Sequence, residues 1–231
     1  MTNIIPRLSE YILIEAGDRP ATALQLAEQL KIDPAMVTPP GQNETNPDYD
    51  AGLVAYLEDC IDSAVASGEA LTRRTFTRST FQAFLDDFIQ GQSYEVRKCP
   101  FISMESIERY VSGALVAVSS GDYYVTKSRT FPRVTTVEGK SWPYDADRRQ
   151  QAVEFNFTAG YGAAPTPGEG EDPLPSVAMP EDLRRAILSH AAALYANRGD
   201  CVPGTTARDL IPPCSMSVYN RYRIVDIHVG I

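Results

Sequence analysis

Apolar residues recur at two different spacings along the chain, and the spacing changes twice. Leu53, Tyr56, Leu57, Cys60, Ile61, Ala64 and Val65 follow a helical stripe, with Glu58, Asp59 and Asp62 off it. This predicts a helix over residues 49–67 that Gly68 ends. A more regular stripe runs through Leu183, Ala186, Ile187, His190, Ala191, Leu194 and Tyr195. It predicts a helix over residues 180–198, opened by Pro180 with Glu181 and Asp182 in its first turn, and closed by Arg198 and Gly199. A short third helix is predicted over residues 22–31. Thr22 and Gln25 stand at capping-box spacing there, and Leu24, Ala27 and Leu30 form a narrow stripe with Leu26 beside it.

Between these helices the period falls to two. Residues 75–84 are rich in Thr and Phe, and residues 107–111 and 114–118 flank Ser112-Gly113, a two-residue hairpin turn. Residues 123–126 and 134–137 are further strands, the latter followed by a Glu138-Gly139 turn. Val153, Phe155 and Phe157 alternate with Glu154, Asn156 and Thr158. The apolar run Tyr11 to Ile14 stands alone before the turn Gly17-Asp18-Arg19-Pro20. Residues 34–48 are a loop rich in Pro, Asn and Asp, and residues 215–222 predict one further helical turn. In the last residues, Val225, Ile227, Val229 and Ile231 share one parity, against Asp226, His228 and Gly230 on the other.

The order helix, helix, strands, helix, tail predicts an α+β fold. A small helical bundle (helices near 22–31, 49–67 and 180–198) carries an inserted antiparallel β region and an extended C-terminal arm. The expected division is residues 1–74 and 177–222 as helical core, 75–162 as β region, 163–176 as a flexible acidic loop and 223–231 as the arm. No alternation of strand and helix suggests a doubly wound nucleotide fold.

Composition narrows the class. The chain has 231 residues, 43% apolar and 22% charged, which is an ordinary globular balance. No apolar run reaches the roughly 18 residues of a membrane span, so no membrane partner is expected. Residues 1–7 show no basic stretch leading into an apolar core, so no secretory signal is expected. The net charge of −9 argues against clamping nucleic acid through its phosphates. It suits a surface past which DNA slides, and equally suits plain solubility. Cys60, Cys99, Cys201 and Cys214 are scattered and read as reduced thiols of a protein made in the cytoplasm. Without a C-x-x-C and with only His190 and His228, no zinc site is expected.

Each candidate for chemistry has a plain structural alternative. Gly160-Tyr161-Gly162 follows a strand, but the dinucleotide fingerprint needs a third glycine where Pro165 stands, and Glu169, Glu171 and Asp172 downstream would repel phosphate. Gly160 and Gly162 therefore read as a structural turn. Glu58 and Asp62, four apart on a helix with Asp59 beside them, could as a pair bind a metal or share a proton, yet no third ligand lies near in sequence, and a solvated helix face accounts for them. His190 could be a general base, but no nucleophile elbow or cysteine signature accompanies it, and a core histidine explains its place on the stripe. Arg73, Arg74 and Arg78 could touch phosphate or line a solvated strand face. No catalytic residue, cofactor or metal ligand is assigned, and an enzyme is not expected. The alternating arm has the chemistry to add a strand to another protein's sheet, or to its own.

Several stretches, taken in order, resemble the head–tail connector (adaptor) proteins of long-tailed bacteriophages and gene transfer agents. Residues 22–33 are similar to the family's first helix. Residues 49–71 are similar to its second, running into Gly68-Glu69-Ala70-Leu71-Thr72-Arg73-Arg74-Thr75-Phe76. Cys99-Pro100-Phe101 through Ile107 resembles its entry into a hairpin. Trp142-Pro143 and residues 153–162, ending in Gly160-Tyr161-Gly162, resemble its central segment, and residues 179–198 its long helix.

The resemblance covers roughly residues 22–222. It implies a non-enzymatic virion protein of the neck, at the head–tail interface. Such proteins form a homo-oligomeric ring, usually twelvefold, between the portal and a stopper or tail-completion protein, and double-stranded DNA passes through it without sequence-specific binding. It also implies an arm that docks on the portal, here Ile224, Val225, Ile227, Val229 and Ile231. A closed ring needs two different complementary faces on each subunit. Glu58 and Asp62 on one helix, with Arg184 and Arg185 on another, are the candidates for that contact. A stopper or tail terminator is the alternative, and those are mostly β-barrels.

Overall fold

The computed structural model describes residues 8, 11–41, 46–126, 128, 130–163, 175–197 and 211–225. It has an α+β fold in two compact units. A β unit comprises residues 1–18 and 77–178, and a helical unit comprises residues 19–76 and 179–231.

In the helical unit, α1 (Ala23–Leu30) starts at the predicted cap. The Gln25 backbone N–H donates to the Thr22 hydroxyl at 3.2 Å, and the Thr22 N–H donates to the Gln25 side-chain oxygen at 3.1 Å. The second helix, α2 (Ala51–Thr72), does not stop at Gly68 as the sequence suggests. It runs one turn further and ends at Arg73, whose φ of 58° supplies the left-handed cap. Gly68 has a packing role instead. A Cβ there would lie 2.5 Å from the Phe76 ring and 3.2 Å from the Tyr219 ring. Helix α3 (Glu181–Ala196) packs against α2, and α4 (Pro213–Tyr222) packs against α3. What reads in sequence as one extra turn is a ten-residue helix. Its Ser215 hydroxyl donates to the Ala186 carbonyl at 2.9 Å, so the buried hydroxyl is satisfied. Leu26, Leu57, Ile61, Phe76, Leu183, Ile187 and Tyr219 fill the core.

The β unit holds a five-stranded antiparallel sheet and a smaller three-stranded one. The large sheet has the order β1 (Tyr11–Glu15), β2 (Ser79–Leu85), β8 (Val153–Ala159), β4 (Phe101–Val111) and β5 (Ala114–Ala117). The small one has the order β3 (Tyr94–Glu95), β7 (Arg133–Thr136) and β6 (Tyr123–Val125). The hairpin between β4 and β5 turns at Ser112 and Gly113, with φ of 52° and 82°, as a primed turn requires. One apolar core joins the inner faces of both sheets, with Phe81, Ile107, Phe155 and Phe157 from one and Tyr94 and Val134 from the other. Trp142 stacks on Phe88 at 4.8 Å and donates its indole N–H to the Gln92 carbonyl at 2.7 Å.

Two features depart from the sequence pattern. Residues 11–15 were expected with the helices, but they pair with β2 and form one edge of the large sheet. Tyr11 anchors this strand by meeting Phe157 edge-on at 6.1 Å. Alternation in β8 sets Glu154 and Thr158 on the face opposite the phenylalanines, yet both are buried as well, against side chains of the flanking strands β2 and β4. Their polar ends are paired: Gln82 donates to Glu154 at 2.7 Å and the Thr158 hydroxyl to Glu105 at 3.0 Å.

Candidate functional site

Gly160 and Gly162 directly follow β8, where a phosphate-binding loop would begin. Gly160 has φ of 114°, and a Cβ on it would sit 1.9 Å from the Thr77 carbonyl oxygen. Gly162 has φ of 151°, and a Cβ there would lie 2.9 Å from the Cβ of Arg78. The Gly162 N–H donates to the Val177 carbonyl at 2.9 Å. The glycines thus admit a close backbone approach beside β2. The cleft beside them, about 570 Å³, is lined by Glu15, Asp18, Glu105, Thr158 and Tyr161, with Arg78 the one cation. Arg78 donates to the Pro175 carbonyl at 2.7 Å, and three carboxylates would repel a phosphate. The flexible acidic loop expected over residues 163–176 lies mostly outside the described residues.

The structure gives the helix charges partners within the subunit. Arg19 grips Asp62 with two parallel hydrogen bonds of 2.8 and 2.9 Å and reaches Glu58 at 3.2 Å. The hydrogen bond that Arg19 donates to Asp62 raises the Arg19 pKa further above its usual value. Arg184 and Arg185 both pair with Glu181 on their own helix, Arg184 at 3.1 Å through Nε and Arg185 at 3.3 Å. The Arg184 hydrogen bond holds the Glu181 carboxyl below its ordinary range. Glu58 and Asp62 are therefore not brought together with Arg184 and Arg185 inside one subunit. Arg185, with its side chain 77% exposed, is the most open of the four to a neighbour.

His190 is buried, and the Tyr219 hydroxyl lies 3.5 Å from its Nδ1. Burial lowers its pKa below the ordinary 6.5 and raises that of Tyr219. This is a core histidine with an aromatic neighbour. Of the three arginines, Arg73 caps α2 and Arg74 donates to the Tyr222 carbonyl at 2.7 Å, so they organise the helical unit. Among the described residues no three His, Cys, Asp or Glu side chains come together to hold a metal. No described helix is long and apolar enough to cross a membrane. Cys60 and Cys99 are buried free thiols, while Cys214 is exposed. His228 and Cys201 lie outside the described residues.

The arm begins differently from its sequence pattern. Ile224 is buried in the helical unit, and its N–H donates to the Thr72 carbonyl at 2.9 Å. Val225 is 66% exposed, and Ile227, Val229 and Ile231 lie outside the described residues. Sequence reasoning passed over the edge strand β1, on which Ile12, Leu13 and Ile14 are each about half exposed. Its signal was the lone apolar run, too short for periodicity to assign.

The architecture is thus a four-helix unit joined to a two-sheet β unit, with no assembled catalytic set among the described residues. No family model matches the chain, and no curated protein sequence matches it. Solved structures do. The chain is similar to a chain in "Neck of empty GTA particle computed with C6 symmetry", with a TM-score of 0.67, 20% identity, and coverage of 96% of this chain and 99% of that one. A second likeness is to a chain in "Virion of native gene transfer agent (GTA) particle", with a TM-score of 0.65, 23% identity, and coverage of 96% and 99%. A third is to a chain in "Neck of native GTA particle computed with C12 symmetry", with a TM-score of 0.60, 26% identity, and coverage of 95% and 98%. The fold of this chain is therefore that of chains found in the necks and virions of gene transfer agent particles, over nearly its whole length.

Proposed function

We propose that this chain is a structural neck protein of a virion or virion-like particle: an adaptor that forms a ring, twelvefold by our reading, between the portal and the tail. The observation that carries the reading is the nearly end-to-end match to a chain in a neck solved with C12 symmetry. Two features of the chain support it. Its net charge of −9 suits a channel wall that DNA passes without sticking. Its candidate catalytic groups are occupied structurally: His190 in the helical core, Glu58 and Asp62 by Arg19. The work is then done by shape and mutual fit, with the portal above, a stopper or tail-completion protein below, and further copies of the chain on either side.

In this reading the arm docks on the portal by strand addition. The anchoring of Ile224 takes that residue out of the dock, so the docking residues of this reading are Val225, Ile227, Val229 and Ile231. The test is binding of purified portal by the full chain and by a chain ending at Val225. Removing residues 226–231 is expected to weaken binding strongly while leaving the helical circular dichroism unchanged. Undiminished binding rejects the arm as the dock.

A further inference from the structure

The large sheet ends in two edges, and both are apolar. On β1, Ile12, Leu13 and Ile14 are 49%, 52% and 57% exposed, and the strand carries one charge, Glu15, at its end. On β5, Ala114, Leu115, Val116 and Ala117 are all exposed, and none is charged. Among the described residues β1 pairs only with β2, and β5 only with β4. Proteins ordinarily guard such edges with lysine, proline, inward charges or bulges, because an open edge recruits another strand. Among the described residues neither edge strand carries a lysine or a proline, and β1 has one register shift, between Leu13 and Glu15.

From these two edges we infer that the β unit is a sheet-joining interface, in which β5 of one copy pairs with β1 of the next. The inference rests on the ring reading above and deepens it. A closed heterologous ring needs two different faces that fit each other, and the two ends of one sheet supply such a pair. Strand polarity fixes the mode of joining. Every neighbouring pair in the sheet is antiparallel, so β1 and β5, four steps apart, run in the same direction. A rotation that carries the sheet on into the next copy therefore sets β5 beside β1 in parallel. Their lengths match closely, at four and five residues. The exposed aliphatic side chains then meet one another instead of water. A second copy is favoured over an unrelated occupant because each copy brings both halves, and residues 11–14 and 114–117 carry no charge.

The test uses the full chain with purified portal, following ring assembly by sedimentation and electron microscopy. Two variants place lysines on the edges: Ile12→Lys with Ile14→Lys, and Leu115→Lys with Val116→Lys. All four side chains are exposed, and circular dichroism checks that each variant folds. Each variant is expected to raise the concentration needed for assembly about tenfold or more. The combination is expected to raise it little further, because both variants break one contact. Folded variants that assemble at the wild-type concentration overturn the inference and leave the ring reading standing. A wild-type chain that forms no ring with portal overturns the ring reading, and this inference with it. Should the lysines prevent folding, amide exchange of the wild-type chain decides. Slower exchange at residues 12–14 and 114–117 in the assembled state supports the contact, and equal exchange in both states overturns it.

Discussion

At the scale of single residues, the helical unit turns on positions where size or protonation leaves no latitude. Gly68 is one. Alanine is the better helix former by up to about 1 kcal/mol. Here its methyl would enter the space of the Phe76 ring, which is fully buried and held against Tyr219 at 6.2 Å between ring centres. The clash outweighs the propensity, so Gly68→Ala is expected to lower stability by about 1–2 kcal/mol in a denaturant titration. A gain would show that the pocket can open.

His190 is the other. Its pKa is lowered by burial, so the unfolded chain takes up a proton that the folded chain resists. Its contribution is intact above about pH 6.5 and is lost as the pH falls below that value. Tyr219 faces it, with the two rings edge-on at 6.1 Å, and burial is what disfavours the cation. The melting temperature, followed by helical circular dichroism, is expected to fall between pH 7 and pH 5.5. The fall should be smaller in His190→Leu, and an equal fall in both proteins would assign the effect elsewhere.

At the scale of elements, what was legible in the sequence was what is local. The capping box at Thr22 and Gln25 needs four residues and appears where expected. So does the Ser112-Gly113 hairpin, whose turn chemistry is set by the two residues in it. The stripe of α3 was also plain, because Leu183, Ala186, Ile187, His190 and Ala191 are all buried on one face. What misled was set by distant partners. Gly68 looks like a stop until Phe76 and Tyr219 are known to press on it. Glu154 looks wet until Gln82, 72 residues away, is known to bond it. Asp62 looks free until Arg19, 43 residues away, closes on it. The apolar run of β1 could not be assigned, since four consecutive apolar residues have no period. The same limit applies to the site: the sequence marks the arm by its alternation, but the burial of Ile224 comes from the helix end at Thr72 that it packs beside.

At the scale of the whole molecule, the claim is that the chain acts as a collar. Two compact units carry no assembled chemistry among their described residues, and the chain's architecture is shared, over nearly its whole length, with chains found in particle necks. A collar of this kind must close on itself and must sit on the axis along which DNA leaves the capsid. The most direct measurement is therefore a cryo-electron microscopy reconstruction of the intact particle, with this chain located in the density. The account predicts a ring of copies coaxial with the portal, lying between it and the tail. Finding the chain off that axis, or missing from particles whose necks are complete, would contradict it.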